Sequence, residues 1–355
     1  MTKGRFDDCI DCNFIESCTE EYPLYVRLGR ISQLCECFSQ NAQCNFPKML
    51  RCGDKVAARI ALVSGIEYGM RLLYELEGMT PPCDKWLSKG LEGIPDSDDE
   101  RILIQEILGS NIALEAETLA LSIEKLAKLL AGRLYAKGLI SDADPYLIVH
   151  VQELDALSEF AEMGHEDLVE EIAEEEFEEF DRVHNIGGRA FCQDDWETFR
   201  IMRISQYDTW TDLMLSRYLC DFRECTNMGR NLIEEKYARM MESTAPDEYE
   251  RIKDYLPAMT DEQKKLIDAI VTVQVSMMED FAKEYPDLAN RARSIHTYED
   301  SLYNTSYETY LRGELSTYSA QMLLMYGRFV SELESEGRNL AGMIIENTIE
   351  MYEWN

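Results

Sequence analysis

Histidine is scarce in this chain: four among 355 residues, His150, His165, His184 and His296. Any imidazole chemistry is therefore confined to those four positions. Positive charge is short as well. Thirty-five Lys and Arg stand against 68 Asp and Glu, for a formal net charge of −33. A field of that sign repels phosphate backbones and anionic headgroups, so neither nucleic acid nor a membrane surface is an expected partner. No run approaches the roughly 18 apolar residues of a spanning helix, and the start MTKGRFDDC has no apolar secretion core. The expected location is the cytoplasm. Also missing are a Gly-x-Ser-x-Gly elbow, a Walker loop, a His-Glu-x-x-His pair and a dinucleotide fingerprint.

Cysteine, by contrast, is plentiful. There are 11, seven of them within the first 52 residues. An odd total with scattered later members argues against a secreted disulfide frame, so free thiols are expected. Cys9, Cys12 and Cys18 form a candidate zinc or iron–sulfur set, although their spacing matches no standard ribbon or ferredoxin run. Asp181-x-x-His184 places a carboxylate and an imidazole one helical turn apart, which makes His184, together with His296, a second candidate metal site. Neither is the favoured reading, and no cofactor is assigned.

Periodicity points to helices throughout. Val56, Ile60, Val63, Ile66, Met70 and Leu73 step by three and four, and Leu119, Ile123, Leu126, Leu130 and Leu134 do the same. Thr260-Asp-Glu-Gln263 is a capping box ahead of Leu266, Ile270, Val273, Met277 and Phe281. No series of alternating strands appears. The expected fold is all-α, in two packed helical domains with no substantial sheet. A seam falls near 160–166, giving a Cys-rich segment at 1–19, one helical domain at 20–162 and a second at 163–355. Just past the seam, ten of the 17 residues of EDLVEEIAEEEFEEFDR are acidic. Leu168, Ile172, Phe177 and Phe180 still keep a stripe there, so this reads as a helix with a solvated acidic face.

The stretch SIHTYEDSLYNTSYETYLRGELSTYS, 294–319, holds five Tyr, five Ser and four Thr. Thr305-Ser-Tyr-Glu308 reads as a capping box, with Tyr307, Tyr310, Glu314 and Tyr318 projecting from one face of the helix that follows. A carboxylate among aromatics needs a cation, a donor or a proton. The nearest candidates are Arg293 and His296. The stretch is expected to wall a polar pocket with His296, Glu314, Arg293, Tyr307 and Tyr310; a Tyr-lined helix contact holding one internal salt bridge is the structural alternative. In HNIGGRAFCQDDWETFRIMRISQ, 184–206, Arg203 on an apolar face suggests an anion partner or a buried carboxylate. Arg203, Arg189 and Asp194 are candidate ligand contacts.

That last segment, with KYARMMESTAPDEYERIKDYLP and RSIHTYEDSLYNTSYETYLRGELSTYS, resembles the bacterial family known as domain of unknown function 4125, over about residues 165–352. CNFPKMLRCGDKVAARIAL and CDKWLSKGLEGIP resemble the helical C-terminal region of the nucleotidyltransferase-like domain of unknown function 4037, over about 20–160. In that second family the resemblance implies a preceding α/β domain with a Gly-Ser turn and a magnesium-binding acidic pair. No such pattern precedes residue 44 here, so nucleotide transfer by this chain alone is not expected. Lys85 and Trp86 match the helical part only. The expectation is an enzyme acting on a small polar molecule by acid–base chemistry, with His296 as the proton-transfer group. The alternatives are a non-catalytic ligand or partner module, docking a protein at residues 44–95, and a metal-dependent helical enzyme.

Overall fold

The computed structural model describes residues 22–111, 116–184, 188–289, 293–302 and 304–354. Cys9, Cys12 and Cys18 lie outside them. The chain divides into two compact units between Glu159 and Phe160.

In the first unit, α1 (Leu24–Phe38) runs into a π-helical turn (Ser39–Asn45) and α2 (Phe46–Arg51), followed by α3 (Lys55–Leu76), α4 (Asp84–Gly90), α5 (Asp98–Gly109) and α6 (Ala116–Ala136). Helix α7 (Val151–Met163) carries the unit boundary. Asp54 starts α3 by accepting from the amides of Val56 and Ala57, at 3.1 and 2.9 Å. Leu28, Ile31 and Phe38 of α1 and Leu62, Ile66, Leu72 and Leu73 of α3 are all buried. A side chain at Gly65 would sit 2.6 Å from the Ala42 Cβ, so glycine there lets α3 lie against the π-helical turn. The apolar series read along α3 splits. Ile66, Met70 and Leu73 are buried, whereas Val56, Ile60 and Val63 are 72%, 63% and 46% exposed. At about 100° per residue the series from 56 to 73 precesses by roughly a quarter turn, so its two ends cannot share one face. On α6, Leu119, Ile123, Leu126, Leu130 and Leu134 are all buried.

The second unit contains α8 (His165–Asp181), α9 (Trp196–Tyr207), α10 (Asp212–Asn227), α11 (Leu232–Thr244), α12 (Pro246–Ile252), α13 (Asp261–Glu284), α14 (Pro286–Ala289), α15 (Tyr307–Leu315), α16 (Ala320–Ser335) and α17 (Leu340–Trp354). Seven of these begin on a side-chain cap: Asp195, Thr211, Asn231, Thr260, Ser306, Ser319 and Asn339 each accept from an amide one turn on. Thr260 and Gln263 form the expected capping box. The second expected box takes another form: Ser306 caps α15, while Glu308 accepts from the Thr297 amide at 3.1 Å.

The second core joins Leu168 and Ile172 of α8 with Leu215, Leu219, Leu315, Met322, Leu323 and Leu340. Within it Trp210 meets the rings of Tyr207, Tyr218, Tyr318 and Tyr326 edge-on, with centroids 4.8 to 6.1 Å apart. Among the described residues there is no strand, only the single bridge between Ser301 and Asn304. The fold is all-α. No described helix is long and apolar enough to cross a membrane.

Candidate functional site

The polar residues singled out in the second half of the sequence fall into two neighbouring arrangements, one buried and one open. The buried one is ionic. Arg203 on α9 pairs with Glu176 on α8, and its Nη1 lies 3.1 Å from Glu314 on α15. Glu176 also accepts from the hydroxyls of Tyr207 and Tyr218, at 2.8 and 2.6 Å. Glu314 accepts from Gln206 at 2.7 Å and Tyr318 at 3.1 Å, and Lys236 Nζ of α11 lies 3.6 Å away. Burial alone would raise the Glu314 carboxyl, but Arg203 and then Lys236 outweigh it and hold the pKa down at about 2. The same carboxylates overcome burial at Arg203 and keep the guanidinium charged. Every charge here has an opposite charge, and every carboxylate has further donors. Such a set is built to be buried.

The open arrangement is a groove of about 340 Å³ between the C-terminal part of α13, helix α14 and the loop that follows. Met278, Ala282 and Pro286 line one part, and Arg293, His296 and Glu299 another. His296 Nε2 lies 3.2 Å from Glu279 Oε1, and its ring stacks on Tyr298 at 5.0 Å. The guanidinium of Arg293 sits 5.2 Å from the Tyr310 ring centroid. Lys236 approaches the same ring at 4.7 Å and donates to its hydroxyl at 3.0 Å. Tyr310 therefore links the groove to the buried network.

Hydroxyls hold the groove loop in place. Asp300 accepts from Ser243 at 2.6 Å, Thr309 at 2.5 Å and the Ser306 amide at 2.6 Å. Burial would raise this carboxyl, but those hydrogen bonds lower it overall. Ser294 and Ile295 carbonyls accept from the first amides of α15, and Thr297 meets Thr309 at 3.0 Å. Ser294, Thr297, Ser306 and Thr309 thus fix the loop carrying Arg293 and His296 to α15, while Ser316 and Thr317 bond to carbonyls of α15 itself and Ser319 caps α16.

Sequence-based expectations are redistributed by this geometry. Glu314 takes Arg203 and Lys236 as its ionic partners, while His296 takes Glu279, so the expected pairing of His296 with Glu314 is replaced by two separate pairs. Tyr307 donates to Gln274 at 3.2 Å and packs, partly buried, against the apolar core, away from a proton-transfer role. The anion expected opposite Arg203 is Glu176 and Glu314 of the chain itself, which leaves no side of that guanidinium for a ligand. Arg189 is likewise held by Asp181 and, at 2.7 Å, by Asp194. His184 is exposed, and no group of three or more His, Cys, Asp or Glu able to hold a metal occurs among the described residues; His184 and His296 do not assemble one there. His150 is buried, with Nε2 2.9 Å from the Asp144 carbonyl.

Glu176, Lys236 and Glu279 escaped the sequence reading. Glu176 falls four residues after Ile172 and four before Phe180, on the apolar stripe of α8, and an acid there signals an internal partner. Lys236 follows Leu232 and Ile233 on the buried face of α11 and carries the same kind of signal. Glu279 carries none.

The family model described as a protein of unknown function (DUF4125) matches residues 166–355, more than half of the chain. The chain belongs to this family. The DUF4125 region begins at the start of α8 and contains both the network and the groove. A second model, a domain of unknown function (DUF4037), matches residues 4–87, a shorter span than the 20–160 expected from resemblance. Neither description carries an activity. Comparison with curated proteins and with solved structures gives no match.

Proposed function

We propose that the groove of the DUF4125 region binds a small polar molecule bearing an anionic group, and that His296, oriented by Glu279, exchanges a proton with it. The observation that carries this reading is Arg293. In a chain of net charge −33 it lines an open groove, and among the described residues no carboxylate pairs with it. A guanidinium backed by an aromatic ring is suited to a carboxylate or phosphate ester. The wall of Met278, Ala282 and Pro286 would take the hydrocarbon part of such a molecule. With Glu279 accepting from Nε2–H, Nδ1 of His296 becomes the proton acceptor, an arrangement in which the carboxylate fixes the tautomer and the far nitrogen does the work. Free thiols at all the described cysteines support a reducing, cytoplasmic setting.

The test is a thermal-shift screen of small carboxylates and phosphate esters, with hits measured by calorimetry. Arg293→Ala is expected to weaken a hit about tenfold or more, roughly 1.4 kcal/mol. His296→Asn should retain the ligand and lose its chemical conversion, followed by NMR of the small molecule. Retained ligand with no conversion in the wild type would favour the non-catalytic binding module. A panel without hits, or hits indifferent to Arg293→Ala, would overturn the reading.

A further inference from the structure

Between Glu36 and Glu67 the chain carries a single acid, Asp54, in a protein where about one residue in five is acidic. The carboxylate of Asp54 is spent on the amides that begin α3. Four cations share this interval: Lys48, Arg51, Lys55 and Arg59. All four are exposed, and none forms an ion pair among the described residues. Elsewhere in the chain exposed cations commonly do find carboxylates, as Lys89, Arg182, Arg189, Lys253, Lys283 and Arg338 show.

Beside these charges lies the exposed end of the α3 series. Val56, Ile60 and Val63 stand at i, i+4 and i+7, which puts them on one face, and the 100° turn per residue places Arg59 about 40° and Lys55 about 80° beyond one edge of that face, so both flank it on the same side. A β-branched stripe at 46% to 72% exposure is not needed by the core of this unit, which is built on the opposite side of α3 from Ala58, Ala61, Leu62 and Gly65. An apolar stripe at helical spacing with unpaired cations on its flank has a definite complement: a helix with its own apolar stripe and acidic flanks.

We propose that the N-terminal half of α3, with Lys48 and Arg51 of α2, docks an acidic amphipathic helix of a partner protein. The partner's leucine-type residues would cover Val56, Ile60 and Val63, and its carboxylates would meet Lys55 and Arg59. Charge complementarity selects this occupant. A second copy of the chain would bring another −33 into contact, and long-range repulsion opposes that. Nucleic acid has no use for an aliphatic stripe that offers no aromatic platform. An anionic membrane would face the field of the whole chain rather than of the patch alone. The surface belongs to the first unit and is independent of the groove, so failure of either proposal leaves the other standing.

A fluorescein-labelled peptide with Leu at the a and d positions of successive heptads and Glu elsewhere is the probe, its Lys-for-Glu counterpart the control. Fluorescence anisotropy on the full chain should show binding of the acidic peptide that weakens with added salt, and no binding of the basic one. The paired substitutions Lys55→Glu with Arg59→Glu, and separately Val56→Ser with Ile60→Ser, should each weaken it about tenfold or more, a change of roughly 1.4 kcal/mol. These side chains are exposed, so circular dichroism and melting temperature should stay unchanged. No binding by the acidic peptide, equal binding by both peptides, or indifference to both pairs of substitutions would overturn the proposal. So would a single-stranded oligonucleotide or a phosphatidylserine vesicle that competes for this face more tightly than the peptide.

Discussion

Arg203 meets carboxylates from positions 27 and 111 residues away along the chain, and this one guanidinium ties α8, α9 and α15 together. Its two partners differ in kind. Glu176 is wrapped by Arg203 and two tyrosine hydroxyls, whereas Glu314 is shared between Arg203 and Lys236. Removing one partner of a buried pair leaves a charge with nowhere to go, at a cost of about 3–5 kcal/mol. Glu314→Gln is therefore expected to lower unfolding stability by roughly that amount, measured by urea denaturation at neutral pH, because Lys236 keeps only the Tyr310 hydroxyl and nearby rings. The individual needs of Arg203 and Glu314 were legible in the sequence, each being a charge set among apolar positions. That they answer one another was not, since nothing local encodes a contact 111 residues apart. Glu176 was hidden by its setting: among ten acids in 17 residues only Glu176 and Glu179 are buried, and nothing in the composition marks them out.

Close helix approach gives these side chains their positions. Gly313 of α15 lies against α11 so tightly that an added Cβ would stand 2.7 Å from Met240 Cγ and 3.0 Å from the Lys236 carbonyl. The backbone oxygen cannot yield as a flexible side chain would. Gly313→Ala should push α15 outward and cost about 1–3 kcal/mol, seen as a lower urea midpoint, despite alanine's better helix propensity. A midpoint that rises would mean the two helices tolerate separation. Helix existence was readable from period and capping signals: Thr260 starts α13 and Ser306 starts α15. Helix faces were read less well. On α3 the steps of three and four drifted round the helix, and the small residues Ala58, Ala61 and Gly65 form part of the buried face. Hydropathy gives those residues little weight, although their smallness is what lets α1 and the π-helical turn come close.

At the scale of the whole molecule, burial of ionisable groups sets limits on both sides of neutrality. On the acid side, Glu314 has a folded pKa of about 2, below its ordinary 4.5, so its contribution is present above pH 4.5 and is lost as pH falls from there toward 2. On the alkaline side, burial raises the phenols of Tyr207, Tyr218, Tyr307, Tyr318 and Tyr326 above the unfolded value of 10.0. The unfolded chain then loses protons that the folded chain retains, so stability is intact below pH 10 and declines above it. Tyrosine absorbance followed through an alkaline titration should show exposed phenols ionising first and the buried set ionising together with loss of helix by circular dichroism. A single smooth titration with the helix intact would contradict the burial described. All-α architecture was legible from periodicity across the chain. The groove was legible only in part, because His296 lies in the conspicuous Tyr-rich stretch and Arg293 directly before it, while Glu279 belongs to another element and has no mark of its own.

We propose that function resides in the open groove and that the buried network beside it is structural. With only four histidines, the imidazole signals can be resolved by NMR, and His296→Asn assigns the one at issue. Those signals would be followed while mixtures of small carboxylates and phosphate esters are added. The His296 signal is expected to move with a compound of this class, to saturate, and to stay still in Arg293→Ala. A compound that stabilises the protein without moving His296, or a His296 signal indifferent to every anion tested, would contradict it.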